Sequence, residues 1–392
     1  MKILYIHQYF KTPEEGGAIR SWYISTAMVA AGHEVHMITS HNGKGYVKKN
    51  QRGVQVHYLP VRYMGSYGFY RRIIAFLNFS LGAYLKAKKL GEPDLMYVTS
   101  TPLTVGIVAL LLKRLFRRPY VFEVRDLWPE VPVQMKIIRN PLIRLLTGKL
   151  ERRIYAGASR IIALSPGTEQ YIRNIPGIHS VHFCPNMSDC DFFSMNEMGA
   201  EEIREKYSLE GKFVIGYFGA IGRSNALGYL LDIALIAQEQ GWNLAFLIIG
   251  EGPEKIDLIK YSENSGMNNL HFIEHQDKAG LRKYLSVIDA AYISFADYPV
   301  FQWNSPNKFF DALASGKMII SNVNGWIREL IETQHCGFYY HPEQPATFFS
   351  SLKPVMEDPH KLAAIKKNSR NLAEARFNRK ILIEKLFSYL GI

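Results

Sequence analysis

Short runs of apolar, often β-branched residues recur along the whole chain, and each is followed by a segment with helical periodicity. Most runs are apolar at every position, which is typical of parallel strands covered by helices on both faces. Strands interleaved with helices predict right-handed βαβ units and doubly wound sheets. The predicted strands are Ile3–Ile6, Val35–Thr39, Val54–Leu59, Leu95–Thr99, Tyr120–Val124 and Ile161–Leu164 in the first half, and Val214–Phe218, Leu244–Ile249, Leu270–Ile273, Ala290–Ser294 and Met318–Ser321 in the second.

Two such sets of units predict two α/β, Rossmann-like domains. The length of 392 residues agrees with this, because each domain is then large enough to bury its own core. We expect the first domain to comprise residues 1–187 and the second residues 188–377. Ligands of open α/β sheets bind beyond the carboxyl ends of the strands, so the predicted site is the cleft between the domains.

Positive charge is concentrated in the first half of the chain. Residues 1–190 contain 26 Lys and Arg against 11 Asp and Glu, whereas residues 191–392 contain 21 against 24. This asymmetry indicates an anionic partner, either nucleic acid or an acidic membrane surface. Basic and apolar residues alternate between Arg62 and Arg153, which favours an interfacial helix on anionic lipid. The alternative is a core helix with a solvated basic edge.

Neither disulfides, nor a metal, nor a membrane span is expected. The three cysteines are too few and too scattered for a disulfide framework or a zinc site, which favours a reduced, cytoplasmic compartment. The uncharged segment Leu95–Leu112 has a polar centre, so it predicts a strand, a turn and a helix rather than a span. The D-x-D sequence at Asp189–Asp191 lies in the interdomain linker, and we do not assign a metal to it.

A lysine and an aspartate on one predicted helix are the strongest candidates for a functional site. Ser305 is suited to cap this helix, and Gly316 to end it. Lys308 falls in the first turn, where a cation has the wrong sign for the helix dipole. A surface ion pair with Asp311 is the alternative, worth only ~0.3 kcal/mol. We predict instead that Lys308 neutralises a diphosphate and that Asp311, with Asn307 nearby, holds the ribose.

Glycines at three strand–helix turns are further candidates for donor binding. Such turns let backbone N–H groups approach a phosphate closely, and an arginine in the turn adds a charge-assisted contact. Ordinary βα turns are the alternative, and no G-x-G-x-x-G fingerprint is present. The residues concerned are Gly16 and Gly17 with Arg20, Gly222 with Arg223, and Gly250 with Gly252.

Charged residues also stand where the fifth predicted strand ends. The charged residues are Glu123, Arg125 and Asp126, and Trp128 follows them. Functional groups of α/β proteins often lie at the carboxyl ends of the strands. A carboxylate such as Asp126 can orient or deprotonate a sugar hydroxyl. We therefore assign Glu123, Arg125 and Trp128 to acceptor binding and Asp126 to catalysis. A structural Arg–Asp pair that caps the strand is the alternative.

Taken together, these segments resemble the family 4 glycosyltransferases with the GT-B architecture. Within that family, Glu123–Glu130 together with Ser305–Lys308 is similar to enzymes of bacterial O-antigen and capsule assembly, some of which transfer N-acetylated amino sugars, including N-acetylfucosamine, onto lipid-linked intermediates. The segments that carry the resemblance are the Gly16-Gly17 loop, Leu164–Gly167, Pro185-Asn186, Gly250–Pro253 and Lys308–Gly316.

The resemblance implies a nucleotide-sugar donor held by the second domain, an acceptor held by the first, and retention of anomeric configuration. It also implies that a final helix, residues 378–392, returns to the first domain. Many members carry a Glu-x7-Glu pair, but here Trp303 occupies the first position and Asp311 the second. Many also carry a lysine close to the arginine that corresponds to Arg223, and this lysine is absent.

The sequence thus predicts a retaining, metal-independent glycosyltransferase that needs no cofactor. Its expected donor is a UDP-sugar, its acceptor a polyprenyl-diphosphate-linked glycan of bacterial surface polysaccharide, and its location the inner face of the cell membrane. Arg223 and Lys308 would stabilise the leaving diphosphate. The alternatives are a sugar-nucleotide epimerase or hydrolase on the same fold, an inactive sugar-binding module, and a nucleic-acid-binding protein, which the absence of a recognisable nucleic-acid motif disfavours.

Overall fold

The computed structural model describes residues 1–17, 19–64, 67–193 and 200–392. Its first sheet has the strand order β3-β4-β2-β1-β5-β6-β7-β8, in which only β3 is antiparallel to its neighbour. The strands are β1 Lys2–Ile6, β2 Glu34–His41, β3 Val47–Gln51, β4 Val54–Pro60, β5 Leu95–Thr99, β6 Tyr120–Val124, β7 Arg160–Ala163 and β8 Val181–Phe183.

The second sheet is entirely parallel, with the order β11-β10-β9-β12-β13-β14. Its strands are β9 Phe213–Phe218, β10 Leu244–Ile249, β11 Leu270–Ile273, β12 Ala290–Ile293, β13 Met318–Ser321 and β14 Gly337–Tyr339. The eleven predicted strands are all present, with ends that differ by at most two residues. Three observed strands, β3, β8 and β14, were not among them.

Helices cover both faces of the first sheet. On one face, α2, α3 and α5 contribute Phe79, Val108 and Ile154 to a shared apolar core, while α1 packs on the other face through Trp22 and Ile24. Apolar strands therefore lie between two layers of helices, as their uninterrupted hydrophobicity predicts. The helices of this domain are α1 Arg20–Ala30, α2 Phe69–Leu90, α3 Val105–Phe116, α4 Glu130–Gln134, α5 Pro141–Gly157 and α6 Pro166–Arg173.

The second sheet is covered in the same way, and the last helix leaves it. The helices are α7 Ala200–Lys206, α8 Gly228–Glu239, α9 Lys255–Asn264, α10 Lys278–Val287, α11 Asn307–Ala314, α12 Trp326–Thr333, α13 Pro345–Met356, α14 Pro359–Leu372 and α15 Arg379–Leu390. Tyr389 of α15 stacks on His182 with 4.5 Å between ring centroids, and its hydroxyl lies 2.8 Å from Ser180 Oγ. Two doubly wound domains with a returning helix confirm the predicted architecture.

The segment Leu95–Leu112 forms β5, a turn and the beginning of α3, as predicted. Within the ranges that the structure describes, none of the helices combines the length and the apolar character that crossing a bilayer requires. A short 3₁₀ helix, Pro299–Trp303, packs against the first domain, where Val300 N donates to Gln134 Oε1 at 2.9 Å. The second domain is thereby held against the first beside the cleft.

Candidate active site

A cavity of about 370 Å³ lies between the two domains, at the carboxyl ends of the second sheet's strands. Its volume falls in the range of small-molecule sites. Gly17 contributes to it from the first domain, and the loops after β9 to β12 and the beginning of α11 contribute from the second. The residues from these segments include Phe218, Gly219, Ala220, Asn225, Ile249, His275, Asp277, Lys278, Phe295, Asn307, Lys308 and Asp311.

Lys308 reaches into this cavity from the first turn of α11. Its ammonium group donates to Tyr217 Oη at 2.8 Å and to Asn225 Oδ1 at 2.9 Å. It also lies 4.0 Å from the centroid of the Tyr217 ring, a cation–π contact. Among the described residues, no carboxylate lies within ion-pair distance of it. The cation is therefore held by neutral groups, and its charge is uncompensated.

Burial without a counter-charge lowers the pKa of Lys308 to about 7. Lysine normally titrates above pH 10, so near neutrality this side chain exists in both protonation states. An anionic ligand placed in the cavity would favour the charged form, because opposite charges raise the pKa of an ammonium group. The arrangement suits the reversible binding of a phosphate group.

Asp311 already has a cationic partner. Lys278, the first residue of α10, donates to Asp311 Oδ1 at 3.1 Å and to Tyr23 Oη of the first domain at 3.0 Å. Burial raises the pKa of Asp311, and the attraction of Lys278 opposes this shift. Tyr23 in turn donates to Asp189 Oδ2 at 2.8 Å. The pair thus forms part of a buried network that joins the two domains at one side of the cavity.

The beginning of α11 differs by one residue from the prediction. The helix starts at Asn307 with Pro306 as its N-cap residue, and Ser305 does not cap it. Instead, the backbone carbonyl of Ser305 accepts a hydrogen bond of 2.5 Å from Asn186 Nδ2 of the interdomain segment. Asn307 lines the cavity beside Lys308, as donor binding would require.

The predicted glycines divide into two groups. Gly17 lines the cavity, and Gly16 adjoins it with a backbone so close to the second domain that a Cβ would lie 2.9 Å from Gln276 O. Gly250 and Gly252 are not among the residues that line the cavity. A Cβ on Gly250 would collide with the backbone oxygen of Gly219, and one on Gly252 with that of Ile221. They allow two loops to approach each other, and so position Gly219 on the cavity wall.

Arg223 is not brought to Lys308. Its side chain is 89% exposed, and its Nε lies 3.9 Å from Glu254 Oε1. Arg223 lines a different cavity, together with Asp232 and Asp257. A Cβ added to the adjacent Gly222 would lie 3.8 Å from the ring of Pro253. The expected arrangement, in which Arg223 and Lys308 face one diphosphate, is absent from this structure, and the catalytic role of Arg223 stays a prediction.

The structure corrects the placement of Arg20 and Glu123. Their side chains are fully buried and form an ion pair, with Arg20 Nε 2.8 Å from Glu123 Oε2. Tyr97 also donates to Glu123 at 2.6 Å, and Arg20 donates to the carbonyl of Pro185. Burial by itself would raise the pKa of Glu123, but the neighbouring guanidinium outweighs it and holds the pKa below its usual range. Neither side chain is accessible to donor or acceptor.

The other residues predicted to bind acceptor lie at the carboxyl end of β6. Asp126 is exposed and accepts a hydrogen bond of 2.8 Å from Thr101 Oγ1. Arg125 Nη1 lies 3.3 Å from His7 Nε2, at the end of β1. Trp128 is half-buried, with its ring against Phe76, so it contributes mainly to packing. Arg125 and Asp126 thus lie at this edge of the sheet with separate partners, and their roles in acceptor binding and catalysis stay predictions.

Lys278 is the principal cavity residue that the sequence did not reveal. Like Lys308, it is a cation in the first turn of a helix that follows a strand of the second sheet, and the same dipole argument would have selected it. His7 was also missed. It is buried, its Nδ1 has no hydrogen-bond partner, and burial beside Arg125 lowers its pKa. In the described part of the chain, no group of three or more potential ligands could hold a metal.

Comparison with known proteins agrees with this geometry. The family described as "Glycosyl transferase 4-like domain" matches residues 15–186, and "Glycosyl transferases group 1" matches residues 199–372. The chain is 21% identical to the alpha-D-kanosaminyltransferase of Streptomyces kanamyceticus over 45% of each protein. It is also 21% identical to the putative teichuronic acid biosynthesis glycosyltransferase TuaH of Bacillus subtilis, over 69% of this chain and 66% of that one. The matched regions thus span less than two thirds of either relative.

Among solved structures, HepE of Anabaena in complex with UDP-glucose superimposes with a TM-score of 0.73. The superposition covers 100% of this chain and 99% of that one at 18% sequence identity, so it supports the fold alone. The two family matches follow each other along the chain, one on each sheet, with the lysine-containing cavity between them. The chain therefore belongs to the family 4 glycosyltransferases of the GT-B architecture.

Proposed function

We propose that this glycosyltransferase moves a sugar from a UDP-sugar to a polyprenyl-diphosphate-linked glycan at a membrane surface, with retention of anomeric configuration. The observation that carries the donor part is Lys308, a buried cation without a carboxylate partner inside a ligand-sized cavity. A diphosphate supplies the counter-charge that this lysine lacks. Uridine as the nucleoside is supported by HepE, which was crystallised with UDP-glucose.

The chemistry of transfer assigns a role to the same lysine. When the bond between the anomeric carbon and the diphosphate oxygen breaks, negative charge grows on the departing diphosphate. Lys308, aligned by Tyr217 and Asn225, lies where it can neutralise that charge without reorganising. The N–H groups at the beginning of α11, near Asn307, add to this effect. Asp311 would then hold the ribose, sharing its carboxylate with Lys278.

The acceptor part of the proposal is assigned to the first domain. Asp126 is exposed at the carboxyl end of β6, with its carboxylate oriented by Thr101. In that position it can orient the attacking hydroxyl or take its proton. The name of the Bacillus subtilis relative, which concerns teichuronic acid, supports a surface polysaccharide as the destination of the sugar.

A membrane surface as the site of action is supported by the outer face of the first domain. Helix α2 exposes apolar side chains with helical spacing at Ile74, Leu77, Leu81 and Leu85. Helix α5, which flanks α3 on the same face of the sheet, exposes further leucines. Basic residues accompany them, and an apolar stripe among cations is typical of helices at an anionic interface. We place the protein at the cytoplasmic face, where its three free cysteines stay reduced.

Thermal stabilisation by nucleotide sugars tests the donor assignment. We expect UDP-glucose to raise the melting temperature more than GDP- or ADP-glucose at the same concentration, because the ligand with the lower Kd stabilises the folded protein more. A ligand at one hundred times its Kd adds about 2.7 kcal/mol of stability. Lys308→Met should abolish the shift. Lys353→Met, which removes an exposed lysine of α13, should keep it. Stabilisation by NAD(P) alone, or an unchanged shift in Lys308→Met, would contradict the proposal.

Product analysis separates transfer from the alternatives. With UDP-glucose alone, an epimerase or hydrolase converts the donor, whereas a transferase requires a polyprenyl-diphosphate-linked acceptor. We expect UDP release to depend on that acceptor and to fall strongly in Asp126→Asn. Rapid donor conversion without acceptor would favour an epimerase or hydrolase instead.

A further inference from the structure

A second cavity, of about 610 Å³, lies on the first domain between α4, α5 and α6. It shares no lining residue with the donor cavity described above. Its volume is sufficient for a small ligand or for the head group of a lipid. Helix α5 contributes six of the residues that line it, namely Arg144, Leu145, Gly148, Lys149, Glu151 and Arg152.

Glu151 presents an unused hydrogen-bond acceptor at this cavity. The residue is only 3% exposed, and its Oε2 accepts a hydrogen bond of 3.2 Å from Tyr171 Oη. Among the described residues, the other oxygen, Oε1, is buried and accepts no hydrogen bond of acceptable geometry, although the Tyr155 hydroxyl is close enough to lower the pKa of the carboxyl. A buried acceptor without a well-formed hydrogen bond destabilises the protein, and a ligand hydroxyl would remove this destabilisation. Burial also raises the pKa of Glu151 to about 7, so near neutrality its side chain exists in both protonation states. A hydrogen bond from a ligand hydroxyl would favour the ionised carboxylate.

Three cations line the same cavity, which also contains the carboxylate of Glu130 of α4. Arg144, Lys149 and Arg152 follow one another on α5, and within the described ranges none of them has a carboxylate at ion-pair distance. Arg152 acts on Glu151 only from a distance, where it lowers the pKa of the carboxyl slightly against the effect of burial. Such a set of exposed, unpaired cations suits a phosphate, which arginine contacts with two parallel hydrogen bonds.

The rim of the cavity is apolar. Leu145 both lines the cavity and is half-exposed, and Leu142 and Leu146 are exposed beside it. Soluble surfaces rarely group large apolar side chains in this way without a partner. A site with cations and a hydrogen-bond acceptor inside, and leucines at its mouth, is complementary to an amphiphile with an anionic, hydroxyl-bearing head.

We propose that this cavity binds the head of a phosphate-bearing amphiphile, with the phosphate on Arg144, Lys149 and Arg152, a hydroxyl on Glu151 Oε1, and the chain along the exposed leucines. This inference rests on the proposed function in one respect: an enzyme that acts on lipid-linked glycans at a membrane encounters phosphate-bearing amphiphiles. The phosphate can come from the isoprenoid acceptor or from a bilayer phospholipid, and the two sources share the chemistry described here.

Gly148 offers a direct test. Gly148 lines the cavity, and a Cβ at this position would meet nothing within 4 Å, so a larger side chain can begin there without a clash. We expect Gly148→Phe to weaken the binding of lysophosphatidylglycerol and of geranyl phosphate, measured calorimetrically with the full chain, by about tenfold or more. Gly148→Ala is the matched control and should bind as the native protein does. The tighter of the two probes identifies the source of the phosphate.

Further arms make the result decisive. Dodecyl maltoside, which lacks phosphate, should bind far more weakly, and inorganic phosphate should not compete at equal concentration. If Gly148→Phe does not fold, the pair Arg144→Gln and Arg152→Gln replaces it, with the same expected loss. UDP-glucose should stabilise every variant as before, so a failure here is distinct from a failure of the donor assignment. Unchanged binding of both probes in Gly148→Phe, or equally tight binding of inorganic phosphate, would overturn the proposal.

Discussion

The low pKa of Lys308 makes donor binding depend on pH in a defined direction. In the free protein the pKa is about 7, because the ammonium group is buried among neutral partners. A bound diphosphate favours the charged form and raises that pKa. Binding therefore takes up a proton whenever the pH lies above the pKa of the free protein, and the affinity for the donor must fall as the pH rises through this range.

The size of the effect follows from the populations. At about pH 6 roughly nine tenths of the molecules carry a charged Lys308, and at about pH 8 roughly one tenth do. If only the charged form binds, the Kd for UDP-glucose rises about tenfold between these values, equivalent to about 1.4 kcal/mol. UDP-glucose is the suitable ligand because its diphosphate lacks the ionisation near pH 6 that a terminal phosphate has.

Calorimetric titration in buffers of different ionisation enthalpy measures both the affinity and the proton uptake. Lys308→Arg is the control, because a guanidinium stays charged at every pH used. That variant retains Asp311 and His275, which also line the cavity, so the difference in slope between the two proteins belongs to Lys308. Equal Kd values for native protein at both ends of this range, with no proton uptake at the higher pH, would refute the reasoning.

Three further outcomes follow from the contacts. Lys278→Met leaves Asp311 buried without its cation, so the Michaelis constant for the donor should rise and the midpoint of urea unfolding should move to a lower urea concentration. The double variant Lys278→Met, Asp311→Asn should recover the stability but not the Michaelis constant. Glu123→Gln leaves Arg20 without its counter-charge and should cost about 3 kcal/mol in urea unfolding, while a properly folded fraction keeps its affinity for acceptor. Arg223→Gln tests the catalytic role predicted for Arg223. Because its side chain is exposed and is not among the residues that line the cavity, we expect donor turnover to change by less than about threefold, against a loss of about a hundredfold in Lys308→Met. Equal losses in steady-state assays would show instead that Arg223 acts on the diphosphate.

The sequence predicted the strands well because most of them are buried on both faces. β9 and β10 are apolar at almost every position, as strands covered by helices on both faces are. β3 has the sequence Val-Lys-Lys-Asn-Gln, lies at the edge of its sheet and is largely exposed, so no apolar run marks it. β14 has three residues, too few for a pattern. Strands that depend on pairing rather than on burial could not be recognised.

The site was predicted where one residue conflicted with its local surroundings. Lys308 has the wrong sign for the first turn of α11, and that conflict is visible in the sequence. Arg20 was assigned to donor binding because it follows a glycine turn at the beginning of a helix, and Glu123 to acceptor binding because it stands at a strand end. The sequence does not disclose that these residues, 103 positions apart, form one buried pair. Local rules find a charge that needs a partner, but only the fold shows whether the partner is another side chain or a ligand.

This distinction also separates the two kinds of positive charge in the molecule. In the donor cavity, the charge of Lys278 is balanced by Asp311. Of the described lysines and arginines that line this cavity, Lys308 is the one without a carboxylate at ion-pair distance, so we expect its ammonium group to make the main electrostatic contact with the donor. The excess of cations lies in the first half of the chain, and charges beyond about 10 Å are screened at physiological salt. No residue of α2 or α5 is among those that line the donor cavity. The anionic and apolar partner proposed for the first domain would explain why these cations lie beside exposed leucines.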